Sequence, residues 1–326
     1  MVTKKKIKSW TVSGDFDSCR IDYWLKKNIS FVTYPTLCKL LRKGTVRVNG
    51  RRAKNNTVLR IGDKINFTRI IEQEASLCRK HKYNLKFEEF IKKIVVYKDK
   101  FKILINKPAG LAVQGGTNIK LNVDIMLDSL KFDLDERPKL VHRIDKQTSG
   151  LLMIARSLNS SRYYGELFRK RKIEKVYLAV VHGNLKYRVG KIGFKIGQEK
   201  SLSSLTLYKV LDQNNELSFL VIKPITGRKH QIRDHFNSLG NQIYGETKFE
   251  CLNNTELISN AKDLHLHAYS LKFQEQDKSI KKIVAPLPVF FTATITKNRF
   301  ENDLSNYDLE FVDSENFKLI EKWLKL

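Results

Sequence analysis

From Ile94 onward the chain carries a succession of apolar runs that are all strand-length: Ile94 to Tyr97, Lys102 to Asn106, Leu151 to Ala155, Val176 to Val181, Leu205 to Val210 and Leu217 to Pro224. This spacing constrains the fold more than any other feature. Each run is far too short to span a membrane and reads instead as a strand buried in a sheet. Fewer segments have helical spacing, chiefly Val123 to Lys131, Asn159 to Arg169 and Lys229 to Ser238. The expectation is a strand-dominated α+β domain. At 326 residues, 41% of them hydrophobic, the chain has room for about two domains with a core in each.

The first part of the chain has a different texture. Residues 1 to 69 hold seventeen Lys or Arg and four Asp or Glu, a net of +13 out of +27 for the whole chain. Ile21, Trp24, Leu25 and Ile29 recur at helical spacing. Leu37, Leu40 and Leu41 do so between Thr36 and Lys43, behind a Pro35 that suits a first helical turn. Gly44 ends that helix, residues 45 to 50 alternate up to an Asn49-Gly50 turn, and Val58 to Phe67 adds strand around Gly62-Asp63. The predicted organisation is a small helix-pair-and-strand domain over 1–70, a connector with some helix over 71–92, and a larger domain over 93–326. Asn306 to Leu326 reads as a short outer helix.

A net charge of +27 calls for a polyanionic partner, because like charges repel one another in a compact state. Cys19, Cys38, Cys78 and Cys251 form no C-x-x-C pair, so neither a disulfide framework nor a thiolate zinc site is expected. The lysine-rich N-terminus lacks the apolar run of an export signal. The expectation is a cytoplasmic protein without a membrane segment.

Chemistry concentrates in three places. His142-Arg143-Ile144-Asp145-Lys146-Gln147-Thr148-Ser149-Gly150 leads straight into an apolar strand. An aspartate between two cations stays ionised and suits a nucleophile or a base; the plainer alternative is a loop carboxylate that bonds backbone amides. In Thr226-Gly227-Arg228-Lys229-His230-Gln231-Ile232-Arg233, a glycine releases the chain into a helix whose start is basic and attracts anions. Arg233 is a natural partner for Asp145, and Arg228 or Lys229 for phosphate; an exposed basic helix end is the alternative. In Lys175-Val176-Tyr177, an aromatic hydroxyl at the start of a strand can stack on a base and move a proton, or be ordinary core. His265-x-His267 puts two imidazoles on one strand face, but no acidic ligand set accompanies them, so no metal is expected.

The segment His142 to Gly150 resembles the signature H-R-[LI]-D-x-x-T-S-G of the RluA-type pseudouridine synthases. Asn106-Lys107-Pro108-Ala109-Gly110 resembles that family's N-K-P-x-G segment and is followed by Val113-Gln114-Gly115-Gly116. Glu174-Lys175-Val176-Tyr177-Leu178-Ala179, the Thr226 to Arg233 segment and Leu266-His267-Ala268-Tyr269-Ser270-Leu271 follow in the family's order. Cys19-Arg20-Ile21-Asp22, Leu40 to Gly44, Val46 to Gly50 and Ile61-Gly62-Asp63 resemble, through shorter motifs, an S4 RNA-binding domain. The combination looks most like the RluC branch, which modifies 23S ribosomal RNA.

The resemblance implies an S4-like domain followed by a mixed, largely antiparallel-sheet catalytic domain. It implies that Asp145 is the essential carboxylate, that Arg143 supports a flipped nucleotide, that Tyr177 lies against the uracil, and that Arg233 pairs with Asp145. RNA contacts are expected from Lys107, His142, Arg228, Lys229 and His230, and from Arg20, Arg42, Lys43, Arg47, Arg51 and Arg52 in the N-terminal domain. The implied reaction isomerises uridine to pseudouridine by base flipping and needs no metal or other cofactor. The partner is 23S rRNA or a large-subunit assembly intermediate, met by a monomer with no obligate protein partner. The same chemistry on tRNA or another RNA, and a non-catalytic ribosome-assembly factor, are the alternatives. One segment departs from the family: Gly245-Glu246-Thr247-Lys248-Phe249-Glu250 stands where G-D-x-x-Y-G is usual, which leaves Glu246 to substitute for the aspartate.

Overall fold

The computed structural model describes residues 9–29, 34–67, 85–115, 119, 121–195, 202–247, 263–301, 303–307 and 309. The expected C-terminal helix therefore lies almost wholly outside the described residues, as does most of the expected connector. The chain divides into two compact units, Met1–Asn84 and Leu85–Leu326.

In the first unit, helices α1 (Ile21–Asn28) and α2 (Tyr34–Arg42) accompany a four-stranded sheet. Its strands are β1 (Ser9–Thr11), β2 (Val46–Val48), β3 (Arg51–Arg52) and β4 (Lys64–Phe67), in the order β1-β4-β2-β3. The helical periodicity has a direct consequence: Ile21, Trp24, Leu25 and Ile29 of the first stripe and Leu37 and Leu41 of the second are buried in one core with Val46 and Ile65. Trp10 meets Trp24 edge to face with ring centroids 5.5 Å apart. The expected strand from Val58 to Phe67 is shorter than its pattern. Val58 makes a single bridge to Arg20, and Gly62, at φ +86°, turns the chain before β4 begins.

The second unit is built on a ten-stranded sheet. Its strands are β5 (Val95–Lys98), β6 (Lys102–Lys107), β7 (Lys139–Leu140), β8 (Ser149–Ala155), β9 (Glu174–His182), β10 (Val189–Lys195), β11 (Leu202–Gln213), β12 (Leu217–Pro224), β13 (Leu266–Gln274) and β14 (Ile280–Val284). The main order is β10-β11-β12-β9-β13-β8-β6-β5, with β14 on β13 and β7 on β8. Every pairing is antiparallel except β13 with β8. Helices α3 (Leu85–Lys93), α4 (Val123–Met126), α5 (Leu158–Arg169), α6 (Gln231–Ser238) and α7 (Val289–Lys297) complete the unit. Among the described residues no helix is long and apolar enough to cross a membrane.

Strand alternation divides the core. On β8, Leu152 and Ile154 pack with Ile91 of α3 and Val123 and Met126 of α4, whereas Leu151 and Met153 pack with Tyr164 and Leu167 of α5. On β9, Ala179 and Val181 pack with Ile232 and Phe236 of α6, whereas Val176, Leu178 and Val180 pack with Phe291 and Ile295 of α7. Tyr177 touches both the α4 cluster and the α6 cluster. One sheet face thus carries two apolar clusters that meet at this tyrosine.

The single helix expected over Val123 to Lys131 is instead α4 followed by a 3-10 segment, Leu127–Leu130. The tighter winding buries Leu127 and Leu130 together, as the three-residue repeat of a 3-10 turn allows.

Candidate active site

The sheet brings the distant motifs together by register. Ala268 on β13 pairs with Gly150 of β8 on one side and with Tyr177 of β9 on the other. The exit of the Asp145 loop is therefore in line with Tyr177 across three strands. Only glycine fits at position 150. Its φ is +105°, and a Cβ there would sit 2.3 Å from the Ala268 carbonyl oxygen.

Upstream of Gly150, the loop is clamped from β6. Lys107 is fully buried, and its Nζ donates to the carbonyls of Pro108 at 2.8 Å and Lys146 at 3.1 Å. The Gly110 amide donates to the same Lys146 carbonyl at 2.9 Å. Burial pushes the Lys107 ammonium down to about 7, against the pull of Asp145. The expectation that Lys107 contacts RNA is corrected here: with no exposed surface it positions the Asp145 loop from behind. His142 also serves the scaffold. Its Nε2 accepts the Met153 amide at 2.7 Å, and its ring stacks on Phe168 at 4.1 Å.

The second motif is fixed through one buried side chain. Gln231 Oε1 accepts from Thr226 Oγ1 at 2.6 Å and from the Arg228 amide at 3.0 Å, while its Nε2 donates to the Leu205 carbonyl and Thr206 Oγ1. This pins the loop before α6 to β11. His230 takes the left-handed conformation at φ +56° and caps α6.

Asp145 stands between these two motifs. Its Oδ1 is 3.7 Å from His230 Nε2 and its Oδ2 is 3.8 Å from Arg233 Nη1. Arg233 spends its fork elsewhere, on a bidentate pair with Glu246 at 2.5 Å through both Nε and Nη2. Glu246, in the segment that departs from the family pattern, is thus the carboxylate that holds Arg233 rigid beside Asp145. Gly245 makes room for it: at φ +83°, a Cβ there would lie 2.0 Å from the Asp263 carbonyl oxygen. Residues 248–250 of this segment lie outside the described residues.

A cavity of about 420 Å³ opens over these groups. Its lining includes Arg143, Asp145, Lys175, Tyr177, Arg228 and Arg233. Arg143, Arg228 and Lys229 are exposed. The Tyr177 phenol is pushed up by burial and then by the nearby Asp145 charge, so it is held protonated. The arrangement is a single carboxylate in a cationic, partly apolar cleft. It can receive an anionic, planar ligand and supply either a nucleophile or a base.

A family model of RNA pseudouridylate synthases matches residues 101–238, the stretch that holds all these motifs up to α6. Over 302 residues, 86% of this chain and 97% of the relative, the sequence is 34% identical to ribosomal large subunit pseudouridine synthase C of Rickettsia conorii. The chain belongs to the RNA pseudouridylate synthase family. It is likewise 33% identical over 302 residues, 86% of this chain and 94% of the relative, to the protein of the same name from Buchnera aphidicola subsp. Schizaphis graminum. Among solved structures, human RNA pseudouridylate synthase domain containing 4 superposes with a TM-score of 0.57 at 24% identity, covering 67% of this chain and 98% of that one. This likeness speaks for the fold: a sheet-rich, mixed α+β pseudouridine synthase.

Three further histidines of this synthase are engaged within the protein. His267 Nδ1 lies 2.8 Å from Ser149 Oγ, His235 Nε2 lies 2.8 Å from Ser204 Oγ, and His265 Nε2 lies 2.9 Å from Thr294 Oγ1. Burial pushes His142 down to about 3, with a further push from Lys175, and lowers His235 and His267 to about 4; His182 and His265 are lowered as well. The unfolded chain takes these protons near pH 6.5, so it binds more protons than the folded state as the pH falls below that value. Stability contributed by the neutral rings is complete above pH 6.5 and is lost on acidification. The melting temperature should fall steadily between pH 7 and about pH 5 at fixed ionic strength; a flat profile would contradict the neutral assignments.

Proposed function

We propose that this synthase converts specific uridines of large-subunit (23S) ribosomal RNA to pseudouridine, with Asp145 as the essential carboxylate. The observation that carries the reading is the Asp145 carboxylate, held beside Arg233 and His230 in a cation-lined cavity shared with Tyr177. The reaction breaks the bond from uridine N1 to C1′, turns the base within the pocket, and joins C5 to C1′. C5 loses a proton and N1 gains one, so the product is an isomer and no electrons are exchanged. Asp145 suits attack at C1′ and equally removal of a sugar proton. Tyr177, kept as a neutral phenol, supports the uracil face and can hand on a proton, but is a poor base. The target base must leave its stack, and exposed Arg143 is placed to fill the vacated space. Arg228, Lys229 and His230 face the RNA beside the cavity.

The names of the relatives favour large-subunit rRNA over tRNA as substrate. Residues 1–70 act as an S4-like domain that grips structured RNA through phosphates and shape, with Arg20, Arg42, Lys43, Arg47, Arg51 and Arg52 as its cations. The connector expected over 71–92 leads into the catalytic domain, and its last residues, 85–92, belong to α3 of that domain. The protein works in the cytoplasm as a monomer.

The test is mass-spectrometric mapping of pseudouridine in large-subunit rRNA, from cells that lack the endogenous enzyme and make either this protein or its Asp145→Asn form. New marks with the first alone support the reading; marks in tRNA only, or none, overturn the substrate. Removing residues 1–70 should weaken rRNA binding and lower its salt dependence while the catalytic unit stays folded. Unchanged affinity and site choice would remove the S4 assignment.

A further inference from the structure

The cavity has one end that the isomerisation chemistry leaves unused. Lys175 precedes Tyr177 by two residues on β9, so both side chains leave the same face of the strand, about 7 Å apart. Both line the cavity, together with Arg171 from the turn after α5.

Lys175 is unlike the other inward-facing lysines of this unit. Lys102 lies between Asp99 and Glu275, Lys223 lies against Glu174, and Lys107 donates to two carbonyl oxygens. Lys175 Nζ reaches only the Thr226 carbonyl at 3.4 Å, and among the described residues no carboxylate lies within ion-pair distance of it. Its charged neighbour is the Arg171 guanidinium; burial, and then that second cation, push Lys175 down to about 8. Opposite Lys175, Gly227 carries no side chain, and a Cβ there would come 3.8 Å from the ammonium.

Arg171 supplies the second cation from a fixed backbone position. Its amide donates to the Phe168 carbonyl and the Lys172 amide to the Leu167 carbonyl, the paired bonds that close a helix on a left-handed residue. Arg171 is that residue, at φ +58°. Glycine is the favoured occupant, because any Cβ is strained there. Helix ending by itself accepts an arginine here, since the same paired bonds close α7 on Arg299 at φ +60°. What sets Arg171 apart is its place: its exposed guanidinium lines the cavity together with half-buried Lys175, and an anion between the two cations relieves their mutual repulsion.

We propose that Lys175 and Arg171 form a phosphate site at this end of the cavity, which takes the phosphodiester next to the uridine whose base lies against Tyr177. The proposal rests on the functional reading above and adds to it how the flipped nucleotide is held. β9 then acts as a ruler, with the base at Tyr177 and its backbone at Lys175.

The test uses full-length protein and unmodified large-subunit rRNA transcribed in vitro. Arg171→Gly and Lys175→Gln are each made alone and in the Asp145→Asn background, where no turnover occurs. Each should weaken binding about tenfold and lower the slope of log K against log salt by about 0.7–0.9, the loss of one phosphate contact. In the active background KM should rise with kcat unchanged, and Arg171→Lys should recover most of the affinity. Arg171→Gly should melt no lower than the wild type, because glycine suits the left-handed position. Unchanged affinity and slope in both variants would overturn the phosphate site, as would a fall in melting temperature for Arg171→Gly without loss of affinity. Absence of pseudouridine from the transcript treated with wild-type protein would count against the functional reading, while the salt slopes of the Asp145→Asn series decide the phosphate site separately.

Discussion

Asp145→Asn protein should form pseudouridine at least about 10³-fold more slowly than the wild type, while folding normally and binding RNA with similar affinity. The expectation of a normal fold comes from what holds the loop. Its backbone is fastened by Lys107 Nζ and the Gly110 amide on the Lys146 carbonyl, and by Ile144, which is buried in the α4 cluster. The Asp145 side chain contributes little to that fastening, since its ion pairs with His230 and Arg233 are 3.7 and 3.8 Å long. An amide of the same shape can therefore take its place without disturbing the surroundings, but it has neither the negative charge to attack C1′ nor the basicity to take a proton. Asp145→Glu should also be slow, because an added methylene moves the carboxylate off the reacting atom, and catalysis of this kind tolerates little misplacement. Single-turnover measurement on an rRNA transcript with saturating enzyme separates chemistry from binding. A rate for Asp145→Asn within tenfold of the wild type would show that another group does the chemistry.

What could be read from the chain before its structure, and what could not, divides along physical lines. Strands β8, β9 and β12 were legible because their central residues, Leu151 to Ala155, Val176 to Val181 and Phe219 to Ile222, form unbroken apolar runs, as strands covered on both faces do. The Asp145 motif was legible because its members are contiguous. By contrast, β10 (Val189–Lys195) has two glycines and no apolar run, and its Gly190 is required because a Cβ would come within 2.5 Å of the Tyr208 hydroxyl. Helix α7 is rich in Thr, Val, Ile and Phe, which favour strands, and becomes helical because Phe291 and Ile295, four residues apart, fill the space beside Phe219 and Phe300. In both cases tertiary contacts override local preference. The same holds within the site. Nothing local distinguishes Lys107, buried as a scaffold cation, from a lysine that touches RNA; the difference is set by Lys146, 39 residues away. Arg171 and Lys175 join the cavity only through the closing turn of α5 and the facing of β9. The charge run Arg169, Lys170, Arg171, Lys172 looks like a solvated helix end, and Arg169 and Lys170 are indeed paired with Glu166.

Glu246→Ala should destabilise the catalytic unit by about 3–5 kcal/mol and also slow catalysis, the largest effect expected from a residue that does not touch the substrate. Arg233 is 5% exposed and the Glu246 side chain 1%, so their bidentate pair has little water to replace it. Removing the carboxylate strands a buried guanidinium with Asp145 3.8 Å away. Arg233 is then free to turn its fork onto Asp145 and form a direct pair. That pair would stabilise the ionised aspartate in its resting state and occupy the oxygens that must react. The wild-type geometry avoids this by giving Arg233 a better partner, so that Asp145 feels its charge at a distance without being bonded to it. Glu246→Gln should fall between, since an amide keeps one acceptor for the guanidinium but loses the charge. Thermal unfolding and single-turnover rates on the same two variants test both halves. If Glu246→Ala loses stability but keeps the wild-type rate, Arg233 does not need to be held away from Asp145, and the role of Glu246 reduces to satisfying a buried cation.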